Sequence, residues 1–292
     1  MKRSIPGILI ALTLCLGACE RQSDITFFVL IKSSNYAQDS TGQLTLLNYH
    51  FFSEIFLTDS GSIDNAQLIA HNRPDQPMAY VDRGENFYVE GGHFDTLEEV
   101  DAAYPNGVYS FDIFTPNTHI QNAEFLLEGP EGRTDIPAPI SISFLQNGEE
   151  VAPLEIDPES DLVVRWSDYS NGRDDPNGIV DDMIFIVVAD CFGERIFHTG
   201  LPFEGDYMRH NVREVFVHAE LLQPGRSYSA FVEFPHVVDS RIVEGVSGFT
   251  SFATATYVDL LTTGENVGAV CPEVSPPMDT GQTDRMDSTT VR

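Results

Sequence analysis

Positive charge is scarce in this sequence. Lysine and arginine together number 16, against 45 aspartates and glutamates, and the formal net charge at pH 7 is −29. Lys2 and Lys32 are the only lysines. A surface this acidic repels the phosphates of nucleic acids and anionic lipid headgroups. We therefore expect no nucleic-acid partner.

The sequence motifs of common enzyme classes are also missing. There is no phosphate-binding loop, no dinucleotide-binding fingerprint and no pair of cysteines spaced for zinc. The stretch 245–248 (Gly-Val-Ser-Gly) lacks the glycine–x–serine–x–glycine elbow of hydrolases. We therefore expect a protein that binds a partner or has a structural role and is not an enzyme. An enzyme whose site is assembled from scattered residues is the alternative.

The N-terminal apolar run is too short to span a bilayer as a stable helix, which needs about 20 residues. Lys2 and Arg3 precede this run at residues 5–16, and the small residues Gly17 and Ala18 follow it. This order is typical of a secretory signal peptide with a short signal helix. A buried N-terminal helix is the alternative.

Residues 16–19, Leu-Gly-Ala-Cys, resemble the lipobox of bacterial lipoproteins at all four positions. The resemblance implies removal of residues 1–18 and attachment of acyl chains such as palmitate to Cys19, which would begin a lipidated tether at residues 19–24. Glu20 stands where an aspartate would favour the inner membrane. The resemblance therefore implies a lipid anchor in the outer membrane of the cell envelope, on either face.

Four cysteines leave one candidate disulfide. Cys15 lies in the expected signal peptide and Cys19 is the expected lipidation site, so Cys191 and Cys271 remain. Two cysteines in an oxidising compartment often pair. Closing a loop of this length would stabilise the fold by roughly 4 kcal/mol in the chain-entropy account. Two separate thiols are the alternative.

Short β-branched and aromatic runs dominate the rest of the chain. The run at residues 25–31 is the first, and turn residues at 59–61, 74–77 and 82–84 separate the runs that follow. This punctuation predicts an all-β fold of sandwich type.

One short helix is predicted within these strands. Asp95 is its expected N-cap, with Glu98 three residues on as in a capping box. Leu97, Val100 and Tyr104 would share its apolar face.

A turn-rich segment with prolines after it divides the strands near residue 134. We predict an N-terminal β-sandwich domain at 25–133, a second at 134–262, and a disordered tail at 263–292 that is poor in apolar residues.

The second domain carries a tryptophan, Trp166, on an early strand, and Leu222, Pro224 and Tyr228 just before a later one. In this spacing it resembles a fibronectin type III domain, of the immunoglobulin-like sandwiches, although Arg226 stands where a threonine is usual. The resemblance implies that the Tyr228 hydroxyl ties a corner of the sandwich to the backbone. Such domains usually bind partners or act as spacers.

Two clusters could hold a metal. Asp175, Asn177, Gly178 and Asp181 match four positions of a calcium loop, although Arg173 and Ile184 occupy positions where carboxylates belong. A solvated turn is the alternative, and no other cofactor is expected.

The second cluster is Glu90, His93 and Asp95, which surround Gly91-Gly92 and could form a partial metal site. An exposed histidine in a glycine-rich hairpin is the alternative.

Together these features predict a lipid-anchored cell-envelope protein that acts as a binding or structural module. It would meet the membrane through its lipid and could bind an envelope protein or a polysaccharide. A glycan-binding or hydrolase-accessory surface module is the alternative, in which Tyr36, Tyr49, Phe51 and Phe52 would stack on sugars and not fill a core.

Overall fold

The structure is a computed structural model that describes residues 23–58, 61–84, 86–129, 136–169, 171–203 and 207–272. The expected signal peptide, Cys19, and the tail beyond residue 272 lie outside these ranges. So does the predicted domain boundary at 133–134.

The described residues form seventeen strands and little helix, which confirms the all-β class. The strands are β1 (Ile25–Gln38), β2 (Leu44–Leu57), β3 (Asn65–Ala70), β4 (Met78–Ala79), β5 (Val81–Asp82), β6 (Asn86–Phe94), β7 (Gly107–Phe114), β8 (His119–Leu127), β9 (Ile142–Gln146), β10 (Glu149–Val151), β11 (Leu162–Trp166), β12 (Met183–Asp190), β13 (Arg195–His198), β14 (Met208–Arg209), β15 (Glu214–Val217), β16 (Ser227–Val243) and β17 (Val246–Leu261). One helix, α1 (Leu97–Ala103), and a 3-10 turn (Ala219–Leu221) complete the list. Within the described ranges, no helix has the length and apolarity needed to cross a membrane.

Three sheets organise these strands. The large sheet has nine strands in the order β13-β12-β16-β17-β1-β2-β6-β5, with β14 paired to β12. The two four-stranded sheets have the orders β4-β3-β7-β8 and β10-β9-β11-β15. Within the large sheet β1 runs parallel to β17, from Phe27 beside Ser247 to Gln38 beside Val258. Strands from both sides of residue 134 therefore share one sheet, and the division into two domains at that position stays a prediction.

Two apolar cores lie side by side on one face of the large sheet. Alternate residues of β17 show this, because Phe252 belongs to the first core while Val258 and Leu260 belong to the second. The first core, under β3, β7 and β8, includes Phe28, Phe51, Leu68, Phe111 and Phe125. The second core, under β9, β11 and β15, includes Phe144, Val164, Trp166, Ile186 and Phe234. The molecule is thus two β-sandwiches on a shared sheet.

Strand β1 is buried on both of its faces. Phe28 enters the first core, whereas Phe27 and Val29 point to the opposite side of the large sheet, which we call the outer face. Loop residues including Val180 and Phe203 cover the outer face at this point. Because both faces are covered there, residues 25–31 of the strand are apolar, except for Thr26, and do not alternate with polar residues.

The segment that joins the two four-stranded sheets is bonded to the large sheet. Thr254 Oγ1 donates to the carbonyl of Pro137, and Thr256 Oγ1 donates to the carbonyl of Ile140 at 2.8 Å. Both threonines are buried on β17. Residues 136–141 therefore lie along β17, which limits movement of one sandwich against the other.

The corner predicted in the second sandwich is confirmed. The backbone N–H of Gln223 donates to the hydroxyl of Tyr228 at 2.7 Å, and the tyrosine ring is buried in the second core. Trp166 lies in the same core, and its indole N–H donates to the carbonyl of Val212 at 3.2 Å. With β9, β11 and β15 facing β13, β12, β16 and β17, this half is a fibronectin type III-like sandwich.

Tyr228→Phe should lower the free energy of unfolding by about 1 to 2 kcal/mol, because the partly buried N–H of Gln223 loses its acceptor. Urea unfolding measures the change. Gln223→Ala is the matched control, since it keeps the backbone N–H and should change stability little. Equal losses of unfolding free energy in the two variants would show that the Tyr228 hydroxyl does not stabilise the corner.

Helix α1 begins one residue later than expected. Thr96, not Asp95, is the N-cap: its hydroxyl accepts from the N–H of Glu99 at 3.3 Å, and the Glu99 carboxylate accepts from the N–H of Thr96 at 3.2 Å. The capping box is therefore Thr96 with Glu99, because strand β6 keeps the chain extended as far as Phe94. Val100 packs into the first core as predicted, whereas Leu97 is 37% exposed.

The helix also closes over the only described lysine. Lys32 is 1% exposed, and its ammonium donates to Asp101 Oδ1 and to Asn106 Oδ1, both at 2.7 Å. Burial lowers the pKa of Lys32, and the Asp101 carboxylate opposes that shift. The buried ammonium of Lys32 thus binds a residue of α1 and a residue of the turn that follows it.

Candidate functional site

A β-bulge between β2 and β6 brings two imidazoles and a carboxylate together on the outer face. His50 lies directly opposite His93 in the strand register, while Phe52 lies opposite Glu90, and the register shifts between these pairs. Residues 90 and 93 are an odd number apart and would point to opposite faces of a regular strand. The extra residue of the bulge corrects the phase, so that Glu90 and His93 share a face.

Gly91 and Gly92 make this bulge possible. A Cβ atom on Gly91 would lie 2.5 Å from the ring of Phe51 and 2.6 Å from its carbonyl oxygen. Gly92 has a φ of +102°, in the region that favours glycine. Glycine at both positions therefore permits the bulge that places Glu90 and His93 on the same face.

The three side chains are in contact. His50 Nε2 lies 2.9 Å from Glu90 Oε1, and the imidazole rings of His50 and His93 stack with centroids 4.0 Å apart. One ligand-type atom from each of His50, Glu90 and His93 lies within 4.8 Å of the other two. The hydroxyl of Tyr88 lies 3.3 Å from His50 Nε2. We call His50, Glu90 and His93 the His–Glu–His cluster.

The cluster is partly shielded from water and uneven in charge. Burial and then the neighbouring His50 lower the pKa of His93 to about 4, so its ring is neutral at pH 7. Burial favours the neutral acid at Glu90, but hydrogen bonds from His50 and from the N–H of Gly92 hold the pKa of Glu90 below its ordinary value. The cluster thus presents a neutral imidazole next to a carboxylate, the donor types that transition metals take.

His93 stands out because both of its ring nitrogens are buried without a hydrogen-bond partner among the described residues. Buried polar atoms of native proteins nearly always have a partner, in protein or in an ordered solvent species. His93 therefore has the capacity to bind something further.

The sequence named two members of this cluster and missed the third. Glu90 and His93 are together as expected, whereas Asp95 is exposed and lies outside the group. His50 is 40 residues away from Glu90, and only the β2–β6 register brings it close. No local motif signals that register.

The acidic loop before β12 has a different organisation. Asp175 accepts from the N–H groups of Asn177, Ile179 and Val180 and from the hydroxyl of Ser240. These bonds lower the pKa of Asp175, although burial opposes them.

The other two residues of the expected calcium set also have protein partners. Asp181 accepts from the N–H of Asp175 at 2.8 Å and pairs with Arg209 at 3.1 Å, and the amide of Asn177 donates to Ser240. Calcium binding by Asp175, Asn177 and Asp181 stays a prediction.

Cys191 and Cys271 form a disulfide, the pairing expected from the sequence. It joins the turn after β12 to the segment that follows β17. The guanidinium of Arg226, the residue that replaces the usual threonine, lies against the carbonyl of Ala269 at 3.2 Å. Residues 263–272 have no regular structure and are tied to the second sandwich by these contacts.

The aromatic residues considered for sugar stacking belong mostly to the cores. Phe51 is fully buried and Phe52 is 5% exposed, while Tyr36 and Tyr49 are half-buried. The four side chains therefore do not form an exposed stacking platform.

No protein-family profile matches the chain, and no curated protein matches it. Among solved structures, the chain is similar to the FN1–FN3 domains of chicken CNTN1, with 13% sequence identity and a TM-score of 0.20. That alignment covers 74% of this chain and 64% of the other, so the chain spans less than two thirds of that solved length. A score this low carries no argument. The assignment of an all-β protein with two sandwiches rests on the sheet order and the Tyr228 corner.

Proposed function

We propose that this chain is a lipid-anchored module of the bacterial cell envelope that holds a binding or structural surface at a fixed distance from the membrane, without catalysis. The anchor part of the proposal rests on the resemblance of residues 16–19 to a lipobox and on Cys19 as the acyl acceptor. The module part rests on the shared sheet. The outer membrane is the location that the residue at position 20 favours.

The observation that carries the proposal is the course of β1. Its 14 residues begin directly after the expected tether and end beside the second sandwich. At about 3.3 Å per residue the strand is roughly 45 Å long. The first sandwich would therefore lie next to the membrane and the second farther out, connected by continuous strands and not by a flexible linker.

The junction between tether and fold supports a rigid mount. Asp24 is buried, and its carboxylate accepts from the hydroxyl of Thr115 at 2.6 Å and from the N–H of Asn117 at 2.9 Å. The chain is therefore already held by the fold at Asp24, the last residue of the expected tether.

A cleft of about 390 Å³ lies at the far end of β1 and offers a place for a partner. It opens between the β1–β2 turn and β10, with Asp39, Phe144, Val151 and Pro153 in its lining. An envelope protein or a polysaccharide segment is the partner class that fits the proposed location.

Cys19→Ser should move the protein from the membrane fraction to the soluble fraction, because the acyl acceptor is lost. Cell fractionation with immunoblotting measures this. Cys15→Ser, in the segment expected to be removed, is the matched control and should stay with the membrane. Membrane association of Cys19→Ser equal to that of the unaltered chain would refute the anchor.

The module part is tested by crosslinking in intact cells and purification of the adducts. We expect envelope components to be recovered with the anchored chain and depleted with Cys19→Ser. Recovery of the same components from both, or of none from either, would contradict the proposal.

A further inference from the structure

We propose that the His–Glu–His cluster binds a divalent transition-metal ion of the zinc class, with His50, Glu90 and His93 as its three protein ligands. This inference is independent of the lipid anchor and of any partner at the far end of β1.

The ligand set fits zinc in type and number. Two imidazoles and one carboxylate with an open fourth position are a recurrent arrangement for zinc. Calcium and magnesium prefer oxygen ligands throughout, so two nitrogens in a set of three disfavour them. Glu90 is the most exposed of the three, with 29% of its side chain accessible, and it leaves the fourth position open to water.

The geometry needs only a small adjustment. Tetrahedral zinc with bonds of about 2.0–2.1 Å places its ligand atoms roughly 3.3 Å apart. The cluster already holds His50 and Glu90 closer than this, and all three ligand atoms lie within 4.8 Å of one another. The two rings now stack at 14°, so one must turn for both to aim at one ion. The χ2 torsion of histidine is broad and permits that turn.

His93 supplies a second, independent observation. Its two buried nitrogens have no hydrogen-bond partner among the described residues, and a bound ion would satisfy one of them directly. His50 differs, because Glu90 and Tyr88 already contact it. Both of these contacts are made to His50 Nε2, so an ion bound at that nitrogen would replace them.

The bulge makes the set dependent on two glycines. Only the phase shift at residues 91–92 places His93 on the face of Glu90 and His50. Glycine weakens the interior of a strand and often marks a bulge. Here the glycine pair lies at the bulge that brings the three ligands onto one face.

The experiment uses the purified, tag-free full chain after treatment with a chelator. Zinc chloride is titrated in competition with a chromophoric chelator. We expect one zinc per chain. His93→Gln and Glu90→Gln should each weaken the affinity for zinc by at least roughly tenfold, because mutation of residues that only hydrogen-bond a metal ligand already costs about that factor. His119→Gln is the matched control, because His119 is exposed on β8 away from the cluster, and it should bind as the unaltered chain does.

A measurement on the unaltered chain removes any doubt about misfolded variants. X-ray absorption of the zinc-loaded protein should report two imidazole ligands with oxygen donors. Uptake that survives both cluster substitutions, a spectrum without imidazole, or no uptake against the competitor would each overturn the proposal. Calcium chloride in excess should leave the zinc titration unchanged.

Discussion

Phe28→Ala should lower the free energy of unfolding by about 3 to 5 kcal/mol, the range for removing a buried phenylalanine. Phe28 is fully buried in the first core, with the rings of Phe111 and Phe125 at 4.8 and 5.4 Å. Gly248 leaves room for its ring, since a Cβ there would lie 2.4 Å from the Phe28 ring atoms. Truncation of Phe28 leaves a cavity. Phe111 and Phe125 cannot fill it unless β1 moves, and β1 belongs to the sheet that both sandwiches share.

The fluorescence of Trp166 makes this a test of the shared sheet as well. It is the only tryptophan and lies in the second core, so it reports on the sandwich that Phe28 does not enter. We expect one urea transition, shifted to lower concentration in Phe28→Ala when followed by Trp166. Phe216→Ala is the matched control, because Phe216 is 54% exposed, and it should shift the transition little. An unshifted tryptophan signal beside a destabilised first sandwich would mean that the two halves unfold independently.

Glu233→Gln should stabilise the protein at about pH 8 by roughly 3 kcal/mol more than at about pH 5.5. Glu233 is 4% exposed on the outer face of β16, and burial raises its pKa from the ordinary 4.5 to about 8. Between these pH values the folded chain keeps a proton that the unfolded chain releases. Stability from this group is therefore complete below pH 4.5 and is lost as the pH rises to about 8.

Urea unfolding across this pH range measures the difference between the variant and the unaltered chain. Glutamine keeps the shape of the protonated acid but cannot ionise, so the gap between the two curves should widen as the pH rises. Glu220→Gln, at an exposed glutamate, is the control and should give parallel curves. A constant gap for Glu233→Gln would show that the buried carboxyl does not hold its proton. Glu54, whose pKa is raised by burial and by the charge of Glu233, should respond in the same direction.

The sequence pattern was enough to predict the class of fold and several local features of it. Short apolar runs and the turn residues between them predicted an all-β chain, because they depend on contacts within a few residues. The corner at Tyr228 was implied by the resemblance of residues 222–228 to a fibronectin type III domain. The Cys191–Cys271 pair followed from elimination. The capping box was displaced to Thr96 and Glu99, because two boxes of equal spacing overlap there and the end of β6 decides between them.

The sharing of one sheet could not be predicted in this way. Pairing of β1 with β17 joins residues more than two hundred positions apart, and nothing in either strand names its neighbour. His50 was missed for the same reason, because its contacts with Glu90 and His93 depend on the register of β2 against β6. The bulge at Gly91 reversed the expected side of His93, so only the backbone geometry could complete the cluster.

The position of β1 has a mechanical consequence. It is the strand nearest the proposed anchor, and it is flanked along its length by β2 and β17. A pull between the membrane and a partner on the outer sandwich would run along this strand, so the hydrogen bonds on both sides would be loaded in shear together and not peeled one by one. The tether would then transmit force through the middle of the protein, and the fold would resist until two rows of bonds failed at once.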